Sequence, residues 1–308
     1  MFRYEFVKLR ADIRSFFRNS HIFRIQIKQF HYFTNPLLRT FKLRMRTLIF
    51  CCLIVNFLLP KSSFLAQSTH IVSAGVQMDE FSEFYNNMYL SFVSYGYETK
   101  SWTSISKLNY TNRFEKSGYQ LDLETYHKFK SGKYVYLGYA YSGSELFPKN
   151  RAGAELFVPF QKKWEWSTGL RFLNFKTGTS SLFYTGSLSW YFKSYLFSVR
   201  PYIIPAGDKL AGSLNLSARK YLNDTDAIGI RLGIGSSPDE RIVQLSEGVQ
   251  GKDILLLNSQ IISIYANKVF KKKLNIRASI SMSKDELAFR NDYFIRHGIY
   301  EISFTYRF

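Results

Sequence analysis

Residues 119–129 read YQLDLETYHKF, and their side chains alternate strictly between two kinds. The odd positions carry Tyr, Leu, Leu, Thr, His and Phe, while the even positions carry Gln, Asp, Glu, Tyr and Lys. Successive strand residues point to opposite faces, so this strand has an apolar row and a charged row. The stretch therefore predicts a β-strand that separates an apolar phase from a wet one.

The same period of two recurs along the chain, most clearly in Trp164–Phe172, Asp226–Ile234 and Leu274–Met282. Most of the predicted strands have about 9–12 residues, the length that a tilted strand needs to cross a bilayer. We predict an all-β fold, an antiparallel transmembrane β-barrel of about 14 strands, with 12–16 as the range. The predicted strands are 71–78, 88–97, 102–112, 118–129, 133–142, 150–159, 164–174, 181–192, 195–204, 211–222, 226–236, 256–269, 273–284 and 296–308.

The links between these strands alternate in length. Every even-numbered link has four residues or fewer, and every odd-numbered link has five or more. Outer-membrane barrels have short periplasmic turns and longer outer loops, so both ends of the barrel chain are expected in the periplasm. The longest link, 237–255, is expected either to fold inward as a constriction, to bind a ligand outside, or to be an ordinary exposed loop.

Composition narrows the alternatives. Aromatic residues make up 18% of the 308 residues while hydrophobic content is 46%, which fits a barrel in which only every second strand residue faces lipid. A soluble all-β protein is the alternative. About half of the net charge of +19 lies in residues 1–66, and the 30 basic and 21 acidic residues of 67–308 are scattered. This distribution argues against a nucleic-acid partner.

The amino-terminal part is divided into two segments. Residues 45–66 have a basic start, an apolar core and a polar end, which predicts a signal peptide cleaved after Ala66. Residues 1–44 form a basic extension that is either a mitochondrial-type presequence or untranslated sequence before a start at Met45; we favour the second. The barrel domain is then 67–308. Both cysteines, Cys51 and Cys52, leave with the signal, which excludes disulfides and thiol chemistry.

Aromatic side chains are predicted to mark the membrane boundary. A girdle near the periplasmic turns is expected from Trp164, Trp166, Trp190, Phe192, Phe197 and Tyr306. The last strand alternates from Tyr300 and stops on Phe308. Such a strand resembles the signal that the bacterial barrel-assembly machinery reads, with Tyr306 and Phe308 as its assembly residues. The expected partners are therefore outer-membrane lipid and that machinery.

Several strings also resemble one known family. LFPKNRAGAELF (146–157), RFLNF (171–175), RPYIIP (200–205) and GSSPDER (235–241), with a terminal YRF, are similar to the YaiO family of outer-membrane β-barrels. The resemblance covers roughly residues 70–308 and implies an outer-membrane location, but no established activity and no catalytic residues. Many relatives carry tetratricopeptide repeats ahead of the barrel. This sequence shows none, so a partner that docks through such repeats is not expected.

The predicted interior is rich in charge, and two hypotheses account for it. Either the charges form a polar or anion-attracting conduit, or opposite charges pair across strands and fill the barrel; we favour the second. The candidate lumen-facing residues are Asp122, Glu124, Arg151, Glu155, Glu165, Arg171, Arg200, Arg219, Arg231, Arg277, Glu301 and Arg307, and Lys128 lies on the same predicted face.

Catalysis is not expected. A Ser nucleophile needs a base, normally His, and 67–308 contains only His70, His127 and His297. His70 precedes the first predicted strand, His127 lies on the lipid side, and His297 has no evident Ser–acid set beside it. No metal spacing is evident, and no cofactor is expected.

The sequence thus favours a non-catalytic barrel in transport, export or envelope assembly, with a polysaccharide-related role among these. The alternative is a structural or adhesive barrel with a filled lumen that acts through its outer loops. A lipid-modifying enzyme is the third hypothesis.

Overall fold

The structure is a computed structural model that describes residues 68–83, 85–113, 115–176, 178, 180–206, 209–237, 257–287 and 290–308. The proposed extension and signal peptide, and most of link 237–255, lie outside these residues. No helix in the described part is long and apolar enough to span a membrane. The strands are β1 (Thr69–Phe81), β2 (Met88–Glu98), β3 (Trp102–Arg113), β4 (Lys116–Lys128), β5 (Tyr134–Tyr141), β6 (Asn150–Phe160), β7 (Trp164–Asn174), β8 (Ser180–Phe192), β9 (Tyr195–Ala206), β10 (Lys209–Tyr221), β11 (Ala227–Ser237), β12 (Leu257–Phe270), β13 (Leu274–Leu287) and β14 (Arg290–Arg307).

These strands close into one barrel. Each pairs antiparallel with its neighbours in sequence, and β14 pairs with β1 from Ile71 opposite Arg307 to Phe81 opposite His297. Closure leaves no edge strand whose backbone groups would meet lipid unpaired. The predicted fold, an antiparallel transmembrane barrel of about 14 strands, is confirmed.

The two faces of each strand differ as the alternation requires. On β8, Tyr184 and Leu188 are 49% and 45% exposed, whereas Ser187 between them is only 8% exposed. Rows of exposed large apolar side chains like this one occur all around the barrel. Lipid is the phase that satisfies such a surface, so these rows face the membrane and the alternate rows face the lumen.

The apolar band has the height of a bilayer core. On β4 the outward row runs from Tyr119 to Phe129 at the strand's end, about 34 Å along the strand at the usual rise per residue. A tilt of about 40° reduces this to about 26 Å, close to the apolar band of about 25 Å found in outer-membrane barrels.

The links at one end are uniformly short. We call the turn end the one with links 99–101, 129–133, 161–163, 193–194, 222–226 and 271–273, and the opposite end the loop end. Thr69 and Arg307 also lie at the turn end. Short turns face the periplasm in barrels of this class, so the turn end is the periplasmic end.

The predicted loop-length rule was too strict. Only two residues separate the strands at 114–115, 207–208 and 288–289, although these are odd-numbered links, and even-numbered links 129–133 and 222–226 have five residues. Likewise β14 begins at Arg290, six residues before its predicted start. Beyond the bilayer both faces of a β-hairpin meet water. Strand pairing therefore continues there without the alternation of apolar and polar side chains by which a strand is recognised in the sequence.

Aromatic rings cover the outer face at the turn end. Trp164 stacks on Trp190 at a centroid distance of 5.7 Å, and Trp190 lies 5.8 Å from Phe197. Tyr306 and Phe308 stack at 6.1 Å. Further aromatics at this height, beyond those predicted for the girdle, are Trp102, Phe129, Phe160 and Tyr195. Amphipathic rings favour the headgroup region, so this belt marks the membrane boundary.

Candidate functional site in the barrel lumen

The inner rows of the strands carry the charged residues singled out in the sequence. Each candidate alternates with lipid-facing apolar positions. Their surroundings divide them into two buried carboxylate centres, one tyrosine centre, a group near the turn-end mouth, and one arginine that stands apart.

Asp122 on β4 is the first carboxylate centre. It is 1% exposed, and its Oδ2 lies 2.6 Å from an Arg151 guanidinium nitrogen and 3.3 Å from Lys107 Nζ. Lys107 is its direct cross-strand neighbour, but Arg151 lies two strands away on β6. The residue between them on β5 is Ala140, which is paired with both. Its small side chain leaves room for the ion pair to form above it.

Glu155 on β6 is the second carboxylate centre. It is 3% exposed, and its Oε1 accepts hydrogen bonds from Arg200 at 2.7 Å and from Ser167 at 2.6 Å. Arg171 approaches the other carboxylate oxygen at 3.7 Å. Opposite Glu155 lies Gly169, where a Cβ would be 2.5 Å from the Ala154 carbonyl oxygen. As with Ala140, a small residue on the intervening strand lets the long partners meet.

Tyr265 organises two arginines on the facing wall. Arg219 donates a hydrogen bond to the Tyr265 hydroxyl at 2.8 Å, and the Arg277 guanidinium lies 4.7 Å from the Tyr265 ring centre. Gly229 on β11 is paired with both Arg219 and Tyr265 and has no side chain to separate them. Cation–π attraction and the hydrogen bond hold the two positive groups near one ring.

The remaining acidic candidates lie nearer the turn end. Glu165 accepts a hydrogen bond from Tyr134 at 3.3 Å, and Glu301 accepts one from Ser279 at 3.3 Å. Glu124 adjoins the Tyr126 hydroxyl.

The mouth at the turn end holds a small ion cluster. Arg307 binds Glu98 at 2.8 Å, and Lys128 lies 3.9 Å from the same carboxylate. Glu98 was not among the sequence candidates. Its role depends on the pairing of β2 with β1, and through β1 with β14, which local sequence does not reveal.

Arg231 differs from the other arginines. It lines a cavity of about 640 Å³ in the lumen, and within the described residues it has no ion-pair, hydrogen-bond or cation–π partner. Arg231 belongs to a row of paired positions that runs from β8 to β13. All five of the remaining members are serines: Ser189, Ser198, Ser217, Ser263 and Ser281. The result is one free guanidinium in a wall of small hydroxyls.

An inward-folded link forms one wall of the cavity. Residues 142–149 connect β5 to β6, and Ser142 and Pro148 within it are almost fully buried. Leu146 and Phe147 line the cavity, and Ser144 lies over Gly118. An inward fold was one expectation for link 237–255, which lies almost entirely outside the described residues. For link 142–149, the signal in the sequence is the apolar run Leu146-Phe147-Pro148.

His297 has a carboxylate beside it, contrary to the expectation from sequence. Its Nε2 lies 2.5 Å from Asp285 Oδ2, and the ring stacks on Phe81 at 4.7 Å. Ser259 and Ser283 both donate to Asp285 Oδ1, at 2.5 and 2.8 Å. The hydroxyls therefore bind the acid and not the imidazole, and no described residue hydrogen-bonds the His297 Nδ1 atom. This arrangement differs from that of an activated serine nucleophile.

The other two histidines of the described residues lie in the outer aromatic belt. His127 contacts Trp102 at a centroid distance of 4.1 Å, and His70 stacks on Phe308 at 5.5 Å. Among the described residues, no group of three or more His, Cys, Asp or Glu is arranged to hold a metal ion.

Comparison with known proteins fixes the family. The model of the YaiO membrane beta barrel domain matches residues 69–240, from the start of β1 to just past β11. The chain belongs to the YaiO family. Strands β12–β14 lie beyond the match and complete the barrel by pairing with β11 and β1. The family's membrane barrel domain and the apolar outer face place this YaiO protein in the outer membrane.

Several solved structures align with this chain at low similarity. An anion-selective porin from Comamonas acidovorans is 8% identical, with 79% of this chain and 100% of that chain covered and a TM-score of 0.45. Salmonella typhi OmpF is 9% identical, with 79% and 98% covered and a TM-score of 0.43. Acinetobacter baumannii Omp33 is 7% identical, with 78% and 99% covered and a TM-score of 0.47. At these values neither solute nor selectivity transfers to this chain. No curated protein matches the sequence.

Proposed function

We propose that this YaiO barrel passes small anionic solutes through its lumen without acting on them chemically. The observation that carries the proposal is Arg231, whose charge has no partner among the described residues and faces the 640 Å³ cavity. A guanidinium that is not neutralised by a carboxylate attracts negative solutes.

The serine row supports passage rather than tight filling. Ser217 and Ser263 flank Arg231 and leave open the space that longer side chains would occupy. Serine hydroxyls both donate and accept hydrogen bonds, so they can replace part of the hydration shell of a moving solute. The inward link places Leu146 and Phe147 on the wall of the cavity that Arg231 also lines, which favours a selective route over a wide pore.

The paired charges at Asp122 and Glu155 support a second candidate, the structural barrel with a filled lumen. Buried ions need partners, and both carboxylates have them. The two candidates differ in one respect: only a route for solutes conducts.

Planar-bilayer recording of the purified barrel tests the proposal. The wild type is expected to form a channel whose reversal potential in a KCl gradient shows preference for chloride. Arg231→Gln should lose most of that preference, and Arg231→Lys should retain it. Heat-modifiable migration on gels checks that each variant is folded. The absence of a stable channel at any voltage would exclude the transport function and leave the structural barrel.

A further inference from the structure

Lysines crowd the turn end of the barrel. Five of its six turns contain lysine, and each of these side chains is exposed. None forms an ion pair with a described residue. They are Lys100, Lys130, Lys133, Lys162, Lys163, Lys193, Lys271, Lys272 and Lys273, which we call the lysine ring. The exception is turn 222–226, which carries two aspartates.

The opposite end lacks this excess. Its described links contain Glu83, Glu115 and Glu145 against Lys149 and Lys176. Among the described links, positive charge is therefore concentrated at the turn end rather than spread evenly over both ends.

Three of the turns hold lysine against the preference of the backbone: turns 161–163 and 271–273, and turn 193–194, where Lys193 has a φ of 52°. Gln161 and Lys162 have φ values of 48° and 58°, and Lys271 and Lys272 have values of 48° and 59°. Tight hairpin turns with two such left-handed residues favour Asn-Gly, because glycine reaches this region without strain. Side chains kept at unfavourable dihedral angles point to a use beyond folding. Here the feature that distinguishes them from Asn-Gly is positive charge.

The lysine ring lies directly beside the aromatic belt. Lys193 Nζ is 5.4 Å from the Phe192 ring centre, and the nearby Lys220 Nζ is 5.8 Å from the Tyr195 ring centre. Both rings are on the lipid-facing surface. Because such rings lie at headgroup depth, these ammonium groups are held at the level of the lipid phosphates.

We propose that the lysine ring binds the headgroups of anionic phospholipids in the periplasmic leaflet. Lipid fits better than an acidic protein, because the lysines are distributed around the perimeter in five separate turns instead of forming one face. Polybasic segments at a membrane surface attract anionic lipid through the same electrostatic force.

Tryptophan quenching in vesicles measures this preference directly. The chain has four tryptophans, Trp102, Trp164, Trp166 and Trp190, and all lie at the turn end of their strands. The protein is reconstituted in vesicles that contain either brominated phosphatidylglycerol or brominated phosphatidylcholine. Brominated phosphatidylglycerol is expected to quench more strongly at low salt. Its binding relative to phosphatidylcholine should be about fivefold stronger for each lysine that reaches a phosphate. The preference should shrink in 0.5 M salt because of screening.

The matched variants separate charge from folding. The combined change Gln161→Asn, Lys162→Gly and Lys193→Gly places residues that suit the turns at these strained positions, so it should keep the fold. It should also lower the ratio of phosphatidylglycerol binding to phosphatidylcholine binding toward one. Lys162→Arg with Lys193→Arg should preserve it, and Lys149→Gln with Lys176→Gln at the loop end should not alter it. Equal quenching by the two lipids in the wild type, or an unchanged preference in the glycine variant, would overturn the proposal.

Discussion

Replacing Glu155 by Gln should destabilise the barrel strongly, although the two side chains have the same size. The carboxylate is 3% exposed and binds Arg200 at 2.7 Å. Losing one charge-assisted hydrogen bond of this kind costs about 1.5–3 kcal/mol. Arg171, at 3.7 Å and with a side chain 40% exposed, adds roughly 0.5 kcal/mol because water screens it. Arg200 is left largely buried beside a neutral amide, so we expect the free energy of unfolding to fall by about 3 kcal/mol.

Urea unfolding of the vesicle-inserted barrel, followed by tryptophan fluorescence, measures this loss. Glu301→Gln is the matched control, since among the described residues the Glu301 carboxylate accepts only one hydrogen bond, from Ser279 at 3.3 Å. Its loss should be below about 1 kcal/mol. Equal losses in the two variants would refute the idea that Glu155 is a structural centre of the lumen.

Three further predictions follow from local geometry. The Lys268 ammonium, the Val269 backbone N–H and the Asn223 side-chain amide hold the pKa of Asp226 well below its usual range, so its stabilising effect is full at neutral pH and declines as pH falls below about 4 toward the lowered pKa. The difference in urea midpoint between wild type and Asp226→Asn should therefore be smaller at pH 3 than at pH 7, and an equal difference at the two pH values would contradict this. Gly169→Ala should cost about 1–3 kcal/mol, because its Cβ would meet backbone at 2.5 Å, whereas Gly143→Ala, with open space around it, should change the urea midpoint little. Deleting Phe308 should slow insertion by purified barrel-assembly machinery in proteoliposomes, and an unchanged rate would show that the terminal ring is not read.

The strands could be predicted from sequence because their pattern is local. Lipid and lumen act on alternate residues of one strand, so Leu121 and Asp122 reveal the two faces without knowledge of any partner. That information ends at the membrane surface, and for this reason the start of β14 and the lengths of several links were misjudged.

The lumen contacts could not be predicted in the same way, because they depend on residues several strands apart. Arg200 and Glu155 are 45 residues apart in sequence and meet across β7 and β8. Their contact requires Gly169 between them. A glycine in a strand indicates that another group approaches closely, but the sequence does not show which residue that is. Arg231 looked like every other inward arginine until the structure placed only serines beside it.

Cysteine modification during single-channel recording determines whether the side chain at position 231 faces a conducting lumen. Residues 67–308 contain no cysteine, so a single introduced thiol is the only target. An anionic methanethiosulfonate reagent applied to Arg231→Cys should lower current and reduce chloride preference, because it places negative charge in the route. Ile230→Cys, one residue away on the lipid-facing row, should not respond. If the reagent does not change the current of Arg231→Cys, or changes both variants equally, position 231 does not face a conducting lumen while position 230 faces lipid.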